Sequence, residues 1–244
     1  MKRILFIMFV LVSVLPAAGQ KKGPAKGVSS QYGVSFTKGV NMPDAYYFLP
    51  APPKRGDAQW AVDSAMYVRG KQLRSTPRGA EAVADAETSV QYFMDKIGAV
   101  MGRKLTEQSH PQLAILIRGT LGDIRGSIQK AKNKFARHRP YQVFGEPTPV
   151  PEDESPTDFT SYPSGHTVRA WGLALLMTTI DPGHSNDYMR MGYELGESRV
   201  IVGFHFESDV EAARLAASAG YARLCAEKSF LRQIERARKE LFGR

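Results

Sequence analysis

One short stretch, Tyr162-Pro163-Ser164-Gly165-His166-Thr167, constrains the chain more than any other. An apolar run, Val168 to Met177, follows it and reads as a buried helix. Pro163 does not fit a helix interior and Ser164 is a good N-cap, so the helix is expected to start at Ser164 or Gly165. Its first backbone N–H groups then lack intrahelical partners, which makes a ready anion site. Gly165 carries no side chain to block an approaching anion, and His166 sets an imidazole beside it. Taken alone, the stretch reads equally as an ordinary capped core helix with an incidental histidine.

The flanking segments follow a helical pattern. A helix is expected over Asp57 to Leu73, with Trp60, Val62, Met66, Val68 and Leu73 available for packing. A second is expected from Arg78 to about Val100, carrying Val83, Ala86, Val90, Phe93 and Ile97 on one face. A third is expected from Pro111 to about Arg139, with Leu113, Leu116, Ile117, Leu121, Ile124 and Ile128 apolar. Lys132 and Arg139 are seven residues apart in that helix, so they are expected on one face, with Pro140 stopping the helix just after Arg139. Pro147 to Phe159 reads as a loop or lid; its acidic residues Glu152, Asp153, Glu154 and Asp158 lack metal-ligand spacing.

A further helix from about Asn186 to Val202 places Arg199 on the stripe of Met191, Leu195 and Val202. An arginine on an apolar face needs an anion or acceptor beside it. Ser208-Asp209-Val210-Glu211 reads as a capping box opening the last helical region, Asp209 to about Phe242. His205 then lies in the corner between two helices, one turn before Asp209. An aspartate on one imidazole nitrogen fixes the tautomer and leaves the other free to react, although such a pair can also simply staple a corner. In the last region Ala213, Ala217 and Gly220 suit close helix packing, Cys225 reads as a small core residue, and Arg232 to Arg244 reads as a frayed basic surface helix.

Composition sets the outer bounds. With 244 residues, 43% of them hydrophobic, the chain can build one domain with a substantial core. The net charge of +9 suits anionic partners, but Lys and Arg are spread out and form no nucleic-acid module. Met1-Lys2-Arg3, the apolar run Ile4 to Leu15, and Pro16-Ala17-Ala18-Gly19 read as a secretory signal cut near Gly19. No later stretch is apolar enough to span a bilayer, and the single cysteine allows no intramolecular disulfide. These features predict a periplasmic protein with a signal over residues 1–19, an extended arm over 20–56 that packs on the domain or dimerises it, and a helical domain over 57–244.

Three segments together offer three cations, a helix N-terminus and two histidines, the set that phosphoryl transfer requires. Lys132-x6-Arg139-Pro140, Pro163-Ser164-Gly165-His166 and Ser198-Arg199-x5-His205-x3-Asp209 resemble the three-part signature shared by bacterial acid phosphatases, type 2 phosphatidic acid phosphatases and vanadium haloperoxidases. Ser161 to Thr167, with Phe48-Leu49-Pro50, Ala65-Met66-Tyr67, Arg74-Ser75-Thr76 and Ala82 to Asp85, resembles class A bacterial nonspecific acid phosphatases in particular. Thr160, where that class has Gly, and Arg137-His138 depart from the pattern.

The resemblance implies an all-α, single-domain helical bundle of the acid phosphatase and vanadium haloperoxidase type. It implies an enzyme that hydrolyses phosphate monoesters with no metal and no cofactor, is often a homo-oligomer, and is inhibited by vanadate or other oxyanions, with inorganic phosphate as product. His205 would be the nucleophile, oriented by Asp209. His166 would act as general acid and then as base. Lys132, Arg139, Arg199, Ser164 and the Gly165 backbone would hold the phosphoryl oxygens. On this assignment His205 starts neutral and His166 protonated. A membrane lipid phosphatase, a haloperoxidase and a non-catalytic anion-binding protein are the rival readings. They differ in membrane spans, chain length and turnover.

Overall fold

The computed structural model describes residues 33–38 and 41–243. The expected signal segment and the first part of the arm lie outside the described residues. Ten α-helices and no strand occur among the described residues. They are α1 (Ala58–Leu73), α2 (Pro77–Ala84), α3 (Val90–Met101), α4 (Pro111–Gly126), α5 (Gln129–Phe135), α6 (Pro140–Phe144), α7 (Gly165–Ile180), α8 (Ser185–Ile201), α9 (Glu207–Leu224) and α10 (Lys228–Phe242). The fold is all-α, as the sequence implies.

Helix α7 is the axis of the bundle. Its residues are apolar nearly all round, and it packs against α4, α8 and α9 at once. Val168, Leu173, Ala174, Leu176 and Met177 are fully buried. Contact with α8 is close because Gly192 faces Ala174: a Cβ there would lie 2.6 Å from the Ala174 Cβ. The expected small face of α9 is also in place, with Ala213, Ala217 and Gly220 buried. The apolar residues expected on α4 are fully buried too.

Three long helices expected from periodicity are broken instead. The helix expected over Arg78 to Val100 splits after Ala84, because Ser89 caps α3 by accepting from the Tyr92 N–H and Glu87 accepts from the Thr88 and Ser89 N–H groups. The helix expected to reach Arg139 ends at Gly126, resumes as α5, and stops at Ala136, which takes a left-handed conformation at φ 45°. Lys132 and Arg139 therefore do not share a helix face. The last helical region breaks at Cys225 to Glu227, and Cys225 is exposed rather than in the core.

Helix α10 is not frayed. It buries Phe230, Ile234, Ala237 and Leu241 against the core, and Glu240 accepts from the Gln112 and Leu113 N–H groups at 3.0 Å each. That carboxylate satisfies two of the orphan donors at the start of α4. Helix α1 also differs from expectation. Val62 and Val68 are exposed, and its buried residues are Asp63, Tyr67 and Gly70.

The described part of the arm packs on its own domain. The Phe36 ring meets Phe230 edge-on, with centroids 5.4 Å apart. The Asp123 carboxylate on α4 accepts from the Ser35 hydroxyl and from the Phe36 and Thr37 N–H groups. Further along, the Ala45 N–H donates to the Ser127 carbonyl, and the Tyr162 hydroxyl donates to the Pro50 carbonyl at 2.9 Å. Asp123→Ala removes three bonds to a charged acceptor, a loss of about 2–4 kcal/mol. The expected result is faster tryptic cleavage at Lys38 together with a lower melting temperature, read by limited proteolysis and thermal unfolding.

Candidate active site

The three motif segments converge where α7 begins. The Ser164 N–H donates to the Asp209 carbonyl at 3.0 Å, which ties the first turn of α7 to the first turn of α9. Ser164 caps α7 as expected, its Oγ accepting from the Thr167 N–H at 3.3 Å and the Thr167 hydroxyl at 3.0 Å. Lys132, at the end of α5, lies against this turn: a Cβ on Gly165 would sit 3.5 Å from its Cε. Arg199 occupies the last turn of α8 and is 1% exposed.

After α8 the chain doubles back. Gly203 takes φ 81°, a left-handed conformation that suits glycine at a helix end. The Phe204 and His205 N–H groups then both donate to the Arg199 carbonyl, at 3.0 and 3.2 Å. The corner is thus held by α8 itself, and His205 is 1% exposed within it. Helix α9 starts at Glu207, two residues earlier than the expected capping box places it. Phe206 is its N-cap, and Asp209 accepts from the Phe206 N–H at 2.8 Å.

Hydrogen-bond chemistry decides both tautomers. Arg139 Nη1 lies 3.2 Å from His205 Nε2 and 3.0 Å from the Phe204 carbonyl. A guanidinium can only donate, so Nε2 accepts and the ring proton is on Nδ1. Nδ1 lies 3.5 Å from both Asp209 Oδ2 and the Ser161 hydroxyl. Burial, and then the charges of Arg139, Lys132 and Arg199, hold His205 well below the usual histidine range. His166 Nε2 is 3.1 Å from the Ala86 carbonyl, which can only accept, so Nε2 carries the proton and Nδ1 is bare in the neutral ring. Burial, and then Arg199 and Arg169, push His166 well down as well. Both environments therefore favour the neutral ring.

The cations are crowded. Burial first, and then Arg139, lower Lys132 to about 7, and its Nζ donates to the Thr160 carbonyl. The same two causes lower Arg199 to about 9. Arg199 Nε and Nη1 are buried and make no hydrogen bond among the described residues, and the guanidinium lies 4.8 Å from the Phe204 ring centre. Arg139 is anchored by Asp158, through Nε at 2.9 Å and Nη2 at 2.8 Å. Burial would raise Asp158, but hydrogen bonds from Thr160 and the charge of Arg139 prevail and hold it at about 2.

All eight residues expected at the site lie on these converging segments. Thr160 proves to be structural, its carbonyl facing Lys132 and its hydroxyl Asp158. His138 is exposed, its ring tilted against Phe159 with centroids 4.4 Å apart. Sequence reasoning missed Asp158, Ser161, Ala86, Asp63 and Arg137. Arg137 stood out only as a departure from the family pattern, and Asp63 resembled any helix-surface carboxylate. Among the described residues no group of three or more His, Cys, Asp or Glu side chains is placed to hold a metal ion.

The chain is similar in sequence to known proteins. A family model described as the PAP2 superfamily matches residues 113–230, which include all three motifs. A non-specific acid phosphatase of Providencia stuartii is 33% identical over 246 residues, 98% of each chain. One of Salmonella typhimurium is 31% identical over 220 residues, 89% of this chain and 88% of its own. An acid phosphatase of Zymomonas mobilis subsp. mobilis is 33% identical over 199 residues, 81% of this chain and 75% of its own. The fold is thus that of the PAP2 superfamily. Within that superfamily the chain belongs to the class A non-specific acid phosphatases.

An oxyanion held by Lys132 would bind with an affinity that depends on pH. Its ammonium is lost as pH rises through about 7, so an anion that needs it binds more weakly above that point. Sulfate keeps a constant charge in this window and isolates the effect. Its affinity should fall up to about tenfold from pH 7 to pH 8. Lys132→Met should bind sulfate weakly and with a flat profile, read by calorimetry.

Proposed function

We propose that the protein is a secreted, metal-independent acid phosphatase that hydrolyses phosphate monoesters through a phosphohistidine on His205. The observation that carries this reading is Arg199: a guanidinium 1% exposed, with two unpaired nitrogens, within electrostatic reach of both histidines. A buried cation without a partner costs several kcal/mol unless an anion completes it. A phosphoryl group supplies that anion, shared with Lys132, Arg139, Ser164 and the N–H of Gly165. The relatives named acid phosphatases support the same reaction class.

In the first step the bare Nε2 of His205 attacks phosphorus. The bond from phosphorus to the leaving oxygen breaks, and that oxygen takes a proton from His166. In the second step water gives a proton to His166 and attacks the phosphohistidine. The N–P bond breaks and its electron pair returns to Nε2. An alcohol in place of that water gives phosphotransfer. Asp209 faces Nδ1 and keeps its proton there. Delivery to the periplasm through the segment 1–19, assembly as a homo-oligomer and inhibition by vanadate belong to the same reading. No helix among the described residues is long and apolar enough to cross a membrane.

The test is hydrolysis of p-nitrophenyl phosphate in excess EDTA by the wild type, His205→Ala and His166→Ala. Wild-type turnover should survive the chelator, peak at acidic pH, and fall at least about a thousandfold in His205→Ala. His166→Ala should lose far more with alkyl phosphates than with the nitrophenyl ester, whose leaving group needs little protonation. Activity indifferent to His205, or rising steadily into alkaline pH, would sink the reading.

A further inference from the structure

Behind His205 lies a buried ionic cluster that the proposed chemistry leaves without a task. Asp63 of α1 and Asp209 of α9 have fully buried side chains, and Arg137 lies between them, 7% exposed at its side chain. Arg137 Nη2 donates to Asp63 Oδ2 at 2.7 Å, and Nη1 donates to Asp209 Oδ1 at 2.6 Å and to the Ser208 hydroxyl at 2.8 Å. Ser208 closes the ring, donating to Asp63 through its N–H at 2.8 Å and its hydroxyl at 2.6 Å. The guanidinium also lies 4.2 Å from the centre of the Phe206 ring. A planar fork reaching two carboxylates at once is something arginine can do and lysine cannot.

This cluster sets how Asp209 meets the nucleophile. Asp209 Oδ1 is occupied by Arg137, and Oδ2 already accepts from the Ser161 hydroxyl at 2.6 Å and the Phe206 N–H at 2.8 Å. His205 Nδ1, at 3.5 Å, is the most distant of its neighbours. Asp209 is thus a fixed and already neutralised acceptor. A lone buried carboxylate in its place would draw the ring toward the imidazolium, whose Nε2 has no lone pair to attack with.

Resting on the phosphatase reading, we propose that Arg137, anchored by Asp63, is a positioning residue: it fixes Asp209 and takes up its charge, so that His205 stays neutral and presents a bare Nε2 at acidic pH. Arg137 reaches the imidazole through Asp209. The other charged groups around the ring are Lys132 and Arg139 beside it, Asp158 before α7, His166 on α7 and Arg199 on α8; of these, Lys132 also feels the charge of Asp209.

The experiment is the pH profile of kcat/KM for p-nitrophenyl phosphate from pH 3 to 7 in the wild type, Arg137→Met, Arg137→Lys and Asp63→Asn. Titration of the substrate contributes equally to all four. In Arg137→Met the charge of Asp209 is no longer shared, so the acid limb should move up by about one pH unit. Arg137→Lys should fall between Arg137→Met and the wild type. Asp63→Asn keeps the shape and its acceptor oxygen but leaves Arg137 to Asp209 alone, so its acid limb should move down. Sulfate affinity at pH 5 should stay within about threefold of wild type in every folded variant, because the oxyanion cage is intact. A pure staple between α1 and α9 would lower turnover and melting temperature without moving the limb, or move it the same way in both directions of charge change. Coincident acid limbs in the folded variants, or failure of even Asp63→Asn to fold, would overturn the proposal. A wild type without turnover, or an active His205→Ala, would instead count against the phosphatase reading itself.

Discussion

Three cations share one dry space, and the rest of the structure answers to that fact. Lys132, Arg139 and Arg199 are each at most 9% exposed, and each repels the others. Like charges at such range cost far more in a protein interior than in water. The chain counters with fixed acceptors: the Thr160 carbonyl for Lys132, and Asp158 and the Phe204 carbonyl for Arg139. Arg199 receives least, an aromatic face and no hydrogen bond at two of its nitrogens. On the proposed reading an oxyanion makes up that shortfall, while the fixed acceptors offset the crowding of the cations in the folded chain.

Rigid elements hold this arrangement in place. Arg199 and Ser164 sit at the ends of the long helices α8 and α7, which are packed on each other through Gly192. His205 is carried on a corner whose backbone bonds return to the Arg199 carbonyl, so the imidazole and the guanidinium are held on one fixed piece of backbone. Ser164 is bonded to the Asp209 backbone, which couples the first turn of α7 to the residue behind His205. Pre-organisation of this kind is worth more to a charged transition state than any single added contact.

Local chemistry made much of this legible in the sequence. The start of α7 followed from Pro163 and Ser164, the stripe of α8 placed Arg199 inward, and the apolar face of α4 was correct at every position. Periodicity failed where a break depends on one backbone conformation. Nothing about alanine at 136 announces φ 45°, yet that residue separates Lys132 from Arg139 and turns a supposed common helix face into two converging segments. It failed again where a role is made by distant partners. Asp63 and Arg137 are 74 residues apart and each resembles a surface charge until the fold closes over both. Cys225 and α10 show the converse: the cysteine lay in a helical pattern but falls in an exposed break, and a basic tail proved to be the cap of α4.

The two depressed histidines bear on where the catalytic proton comes from. Burial, and then the surrounding cations, disfavour a charged ring at His166 as well as at His205. On the proposed mechanism the acid must nevertheless be protonated when the leaving oxygen departs. A phosphate monoester entering as its monoanion brings one proton and one negative charge. The charge offsets Arg199, the nearest cation acting on His166, and so raises the affinity of that ring for a proton at the moment it is needed. His205 is shielded from the same proton while Arg139 Nη1 and the attacked phosphorus compete for its Nε2 lone pair. An acidic working range then follows from the substrate's own ionisation and the charge of the cage, with no need for a histidine that is protonated in the empty enzyme.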